Sequence, residues 1–231
     1  MIFHQLFDPG SSTFTYLLAD PDTRQALLID PVDEQIDRDL ALLASLGLTL
    51  RYTVETHVHA DHITSGGLLR SRTGSETVVS AAAGADCADH AVGEGMELRL
   101  GAVGLRVLST PGHTDGCVSY VTLDGQMVFT GDTLLIGGCG RTDFQQGSAS
   151  RLYQSVHSRL FTLSDETLVY PGHDYKGRTH STIGAEKAHN ARLGAGRTED
   201  DFVDLMSNLR LDLPRRIHEA VPANSRCGLP A

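Results

Sequence analysis

In the N-terminal half, apolar residues come in short runs broken by polar turns, the pattern of strands rather than of long helices. Residues 1–7 read as a first strand. Residues 14–19 and 25–30 are two apolar runs separated by Asp20-Pro21-Asp22, which predicts a hairpin. Asp30-Pro31 ends its second strand. Over 34–46 the apolar positions Ile36, Leu40, Leu43 and Ala44 recur at helical spacing, and Gly47 stops the run. Residues 51–56 read as a buried strand that leads straight into a histidine-rich segment. A short helix is expected over 66–71, and further strands over 77–80, 105–109, 118–123 and 127–130, with Asp124-Gly125 as the hairpin turn between the last two. The C-terminal half turns helical. Leu152, Val156 and Leu160 form one apolar stripe, and Phe202, Leu205, Met206 and Leu209 another, preceded by a capping-box pair at Thr198 and Asp201. Residues 168–170 form a last strand before Pro171-Gly172-His173.

Both halves alternate strands with helices, which points to sheets covered by helices and to the α/β class. No repeat, low-complexity tract or linker interrupts the chain, so its 231 residues are expected to form one domain. The net charge of -10 repels phosphate backbones and argues against a nucleic-acid partner. No stretch approaches the ~20 apolar residues of a membrane span. The first residues are too short a run and too polar for a signal peptide, so a cytoplasmic location is expected. Cys87, Cys117, Cys139 and Cys227 lie far apart without a C-x-x-C pair, and are expected as reduced thiols, with Cys139 and Cys227 serving as packing residues.

The chemistry gathers on histidine. In Thr56-His57-Val58-His59-Ala60-Asp61-His62 the first two histidines are two apart, so in extended backbone they project to one side. Three later segments share one design, a strand that runs into a small-residue turn bearing a ligand type: Thr110-Pro111-Gly112-His113, Thr130-Gly131-Asp132 and Tyr170-Pro171-Gly172-His173. Glycine beside each ligand lets backbone approach closely, and loops at strand ends are where such sites sit. Imidazole with carboxylate suits zinc, iron or manganese. His4, His90, His157, His180, His189 and His218 lack such settings and read as ordinary.

This H-x-H-x-D-H with a later His, Asp and final His resembles the metallo-β-lactamase superfamily. The resemblance implies a four-layer αββα sandwich with the metal at one edge of the packed sheets, a single domain over 1–231 with a short helical extension from about 175. More specific segments narrow it: His57-Val58-His59-Ala60-Asp61-His62-Ile63-Thr64, Cys139-Gly140-Arg141-Thr142-Asp143-Phe144-Gln145-Gln146-Gly147, Tyr170-Pro171-Gly172-His173-Asp174-Tyr175 and Val221-Pro222-Ala223-Asn224-Ser225-Arg226-Cys227-Gly228. Together they resemble the persulfide dioxygenases of the ETHE1-like family, over nearly the whole chain. Two departures stand out: Ala191 where proline is expected in an Asn-Pro-Arg segment, and Glu55 where asparagine is expected.

The resemblance implies one Fe(II) per chain, held by His57, His113 and Asp132. It implies oxidation of glutathione persulfide with O₂ and water to glutathione and sulfite, a step in sulfide oxidation, by a homodimer. His59, Asp61, His62 and His173 are then expected around the ligands rather than on a second metal. For Asp61 and His62 a helix-start cap is the plainer reading, and it is compatible with that role. Arg141, Tyr175 and Arg226 are candidates for gripping the carboxylates of glutathione, with a structural salt bridge as the alternative for each arginine. A hydroxyacylglutathione hydrolase of the glyoxalase II type, with two metals, is the rival reading. It would need a longer tail than the residues that follow His173, and the Gly-Arg-Thr-Asp-Phe and Ala-Asn-Ser-Arg-Cys-Gly segments favour the dioxygenase.

Overall fold

The structure, a computed structural model, describes residues 1–214 and 216–229. In chain order the elements are β1 (Ile2–Asp8), β2 (Thr13–Ala19), β3 (Gln25–Ile29), α1 (Ile36–Leu46), β4 (Thr49–Val54), α2 (Gly66–Thr73), β5 (Glu76–Ser80), β6 (His90–Val92), β7 (Glu97–Leu100), β8 (Val103–Ser109), β9 (Val118–Thr122) and β10 (Met127–Gly131). They continue with α3 (Ala149–Ser155), β11 (Leu168–Pro171), β12 (Ser181–Thr182), α4 (Ile183–His189), α5 (Glu199–Ser207) and α6 (Ile217–Asn224).

Two six-stranded sheets result, one ordered β1-β2-β3-β4-β5-β6 and the other β12-β11-β10-β9-β8-β7. Between them lies a core of residues such as Tyr16, Leu18, Val54, Tyr120 and Phe129. The outer face of the first sheet packs Leu17, Ala26 and Leu28 against Ile36 and Leu43 of α1 and Leu69 of α2. The outer face of the second packs Val121, Val128 and Val169 against Leu152 of α3 and Phe202 and Met206 of α5. Alternate residues of each strand thus serve the inner and outer layers, and the chain forms the expected αββα sandwich.

The hairpin across Asp20 is present, with Ala19 opposite Ala26. Helix α1 ends on Gly47 in the left-handed conformation, and Thr198 and Asp201 form the capping box of α5. Strands β6, β7 and β12 and helices α4 and α6 are additions to the sequence reading. They are short, and α6 carries Pro222 inside it, so neither length nor periodicity announces them.

One expectation is corrected. Cys87, between β5 and β6, and Cys227, beyond α6, form a disulfide across 140 residues, while Cys117 and Cys139 are free and buried. The pairing depends on where the C-terminal turn lands on the first sheet, which spacing along the chain does not encode.

Candidate metal centre

Strands β3 and β4 run parallel, as do β10 and β11, so their C-terminal ends meet at one edge of the sandwich. Asp30 follows β3 and is buried. Its carboxylate accepts from Thr56 N (2.7 Å) and from the Thr56 hydroxyl (2.8 Å). The Thr56 proton is therefore spent on Asp30, and the same oxygen accepts from His57 Nδ1 at 2.9 Å. That fixes the His57 tautomer and leaves Nε2 as a lone-pair donor. Gly131 sits against Thr56: a Cβ there would meet the Thr56 hydroxyl oxygen at 2.4 Å, and its φ is +50°. Only glycine lets the end of β10 pass this close.

His113 comes from the turn after β8. Its Nδ1 donates to Arg141 O at 2.7 Å, and a carbonyl only accepts, so its Nε2 is also free to bind a metal. Asp132 follows β10. One oxygen, Oδ1, accepts from His173 Nδ1 at 2.6 Å, and the other, Oδ2, stands 3.7 Å from His113 Nε2. One donor atom from each of His57, His113 and Asp132 lies within 4.8 Å of the other two. Burial, with His59 and His113 nearby, holds His57 well below its ordinary pKa. Burial opposes the charge of Asp132, but His173, His113 and His57 hold its carboxyl below the usual range. The His57 imidazole is thus held neutral and Asp132 ionised, the states that metal ligation requires.

The remaining predicted residues surround this trio. Asp61 Oδ2 accepts from Thr13 Oγ1 (3.1 Å), His62 Nδ1 (2.9 Å) and His173 Nε2 (3.0 Å). Both nitrogens of His173 are thus committed to carboxylates. Burial opposes its charge, while Asp132 and Asp61 hold its pKa well above the ordinary value. His59 Nε2 lies 3.2 Å from Asp30 and 3.4 Å from Glu55. Glu55 therefore has a role that asparagine would fill differently: it faces His59 with charge, and its other oxygen accepts from Thr64 Oγ1 at 2.5 Å. Donor atoms of His59, Asp61 and His62 also approach one another within 4.8 Å, as do those of Asp30, Glu55 and His59.

A cavity of about 530 Å³ opens beside Asp132 and His113. Tyr175 stands at its rim, 73% exposed, its ring stacked on His173 at 6.0 Å. Arg141 also lines it, but its guanidinium is committed to Asp143 (2.7 and 2.9 Å) and to the backbone oxygens of Asp212 (2.6 Å) and Leu211 (3.3 Å). Arg226 is exposed on the turn after α6 and does not line this cavity. Arg192 does line it, unremarked by the sequence reading. It donates to Cys139 O at 2.8 Å, and among the described residues it has no carboxylate partner. It lies one residue past Ala191, in the Asn190-Ala191-Arg192 segment where the sequence departs from Asn-Pro-Arg.

Residues 8–173 match the metallo-beta-lactamase superfamily. The chain is 52% identical to the human protein "Persulfide dioxygenase ETHE1, mitochondrial" over 99% of its own length and 89% of the relative's. It superposes on the crystal structure of ETHE1 from Myxococcus xanthus with a TM-score of 0.96 at 57% identity, covering 99% of this chain and all of the other. A hydroxyacylglutathione hydrolase of Polaromonas is 36% identical over 70% of this chain and 62% of its own.

Proposed function

Because the chain belongs to the metallo-beta-lactamase superfamily, and within it to the persulfide dioxygenases, we propose that it oxidises glutathione persulfide at a single Fe(II) held by His57, His113 and Asp132. The observation that carries this reading is the convergence of those three side chains, each with its second polar atom already engaged by protein. Iron(II) in a two-histidine, one-carboxylate set supplies open coordination positions and an electron source for O₂ chemistry.

The chain's own residues do the rest. Thr56 and the Arg141 carbonyl aim the two imidazoles. His173 holds Asp132 by one oxygen so that the other faces the ligand set. The cavity takes the tripeptide, with Arg192 as the cation available for a carboxylate and the Tyr175 ring as a wall. Arg141 contributes by holding the 211–212 backbone over the cavity, with four of its five N–H groups engaged by protein. Aligning persulfide and O₂ in one cavity supplies the orientation that a free encounter lacks. The expected products are glutathione and sulfite.

The hydrolase reading asks His173 to ligate a second metal. The dioxygenase reading has His173 orient Asp132 through Nδ1 instead, and it is favoured by the 52% identity to a persulfide dioxygenase over 99% of the chain, against 36% over 70% for the hydrolase. A homodimer and a cytoplasmic location belong to the same proposal. No helix of the described residues is long and apolar enough to cross a membrane. The Cys87–Cys227 bridge is a feature that a reducing compartment would tend to open. An oxygen electrode tests the activity: O₂ uptake dependent on glutathione persulfide, with sulfite formed, supports it. Hydrolysis of acylglutathione thioesters without O₂ uptake would refute it.

A further inference from the structure

The turn from His59 to Thr64 carries the residues around the metal ligands, yet it has almost no ladder of its own. Carbonyls in and beside it are met from elsewhere in the chain. Val58 O accepts from Gln145 Nε2 (2.8 Å), and Ile63 O from Asp33 N (2.9 Å). The carbonyls of His59 and His62 accept from a single side-chain amide, Asn224 Nδ2, at 2.9 and 2.8 Å. Asn224 Oδ1 in turn accepts from Thr64 N at 2.9 Å. Asn224 is 5% exposed, and His59, His62 and Thr64 are equally shielded, so water does not replace these bonds.

Resting on the metal reading above, we propose that Asn224 is a positioning residue for the metal centre, fixing from the far end of the chain the turn that aims Asp61. The path is physical at every step. Asn224 sets the backbone on both sides of Asp61. Asp61 Oδ2 accepts from His173 Nε2 at 3.0 Å. His173 Nδ1 donates to Asp132 Oδ1 at 2.6 Å. Asp132 is the carboxylate ligand. A shift of the turn therefore changes how that carboxylate is presented.

Asn224 is itself anchored. Three residues on, Cys227 is tied to Cys87 and its carbonyl accepts from Gly67 N at 2.8 Å. Gly228 presses on Thr64: a Cβ there would lie 1.9 Å from the Thr64 carbonyl oxygen. The bridge, the Gly67 bond and this close approach hold the amide against the turn. Asparagine is also required chemically. The isosteric aspartate keeps the acceptor for Thr64 N but sets a carboxylate against two carbonyl oxygens.

The test is the rate at which Fe(II)-loaded protein loses its metal to a ferrous chelator, in wild type, N224A, N224D and C87S. Thermal unfolding of each metal-free protein and the visible spectrum of the Co(II)-substituted forms are read in parallel. Loss is expected to be about 10- to 100-fold faster in N224D and N224A, the usual effect of removing groups that orient ligands. N224D should be at least as impaired as N224A, with an altered Co(II) spectrum, whereas a role in packing alone would spare the isostere. C87S should shift in the same direction by less. Release at the wild-type rate from folded N224D, or from C87S should the Asn224 variants not fold, overturns the proposal. A wild-type protein that takes up no Fe(II) would instead sink the metal reading on which it rests.

Discussion

His173 donates through Nδ1 to Asp132 Oδ1 across 2.6 Å, while its other nitrogen meets Asp61 at 3.0 Å. In the proposed reading the last histidine of the motif orients a ligand rather than holding a metal. H173Q puts one uncharged nitrogen where the ring places two between Asp132 and Asp61. It should bind Fe(II) about 10- to 100-fold more weakly by chelator competition, as for other groups that orient metal ligands. Iron affinity equal to wild type would show that Asp132 needs no such partner.

The substrate cavity gives a second expectation. Arg192 is the cation there without a carboxylate partner among the described residues. A hydrogen bond to a charged group contributes about 1.5–3 kcal/mol, so R192M should raise KM for glutathione persulfide by about 10- to 100-fold with kcat little changed. R226M, exposed and outside this cavity, should leave KM where it is. Steady-state O₂ uptake separates the two; the opposite pattern would move the carboxylate site to Arg226.

Stability of the metal-free protein should peak near pH 6.5. His57, buried and beside other imidazoles, is held below its ordinary 6.5, so the unfolded chain takes up the extra proton as pH falls below about 6.5. For His59, burial opposes the charge, but Asp30 and Glu55 push it up to about 10. Its contribution is whole below about 6.5 and is lost as pH rises toward about 10. One proton corresponds to about 1.4 kcal/mol per pH unit. Urea unfolding across this range should show both limbs, and H59Q should make the alkaline one shallower, His173 supplying the remainder. An unchanged alkaline limb in H59Q would contradict the assignment.

The Cys87–Cys227 bridge closes a loop of 140 residues. Its reduction should lower unfolding free energy by about 2–5 kcal/mol. Urea midpoints with and without reductant test this, and C87S should be insensitive to the reductant. Equal midpoints for the wild type would mean that the bridge constrains nothing.

Much of this site was legible in the sequence because its side chains follow strands, with His113, Asp132 and His173 directly after a glycine and His57 at the head of the H-x-H motif. His57, His113, Asp132 and His173 were placed by that local pattern, and the parallel pairing of β3 with β4 and of β10 with β11 brings them together. What the sequence hid was long-range. The pairing of Cys87 with Cys227 and the amide of Asn224 on a turn 160 residues earlier both depend on where a short helix carrying Pro222 docks. Arg192 was hidden because its meaning lies in the absence of a partner, which is a property of the folded surface. Glu55 was visible as a departure, but only the 3.4 Å approach to His59 gives it a role.

Metal analysis of protein purified without added metal, joined to O₂ uptake, tests the central claim most directly. The account predicts one iron per chain in the wild type, with iron and glutathione persulfide-dependent O₂ uptake both lost in H113A and D132N. Two zinc ions per chain, or full O₂ uptake by an iron-free variant, would contradict it.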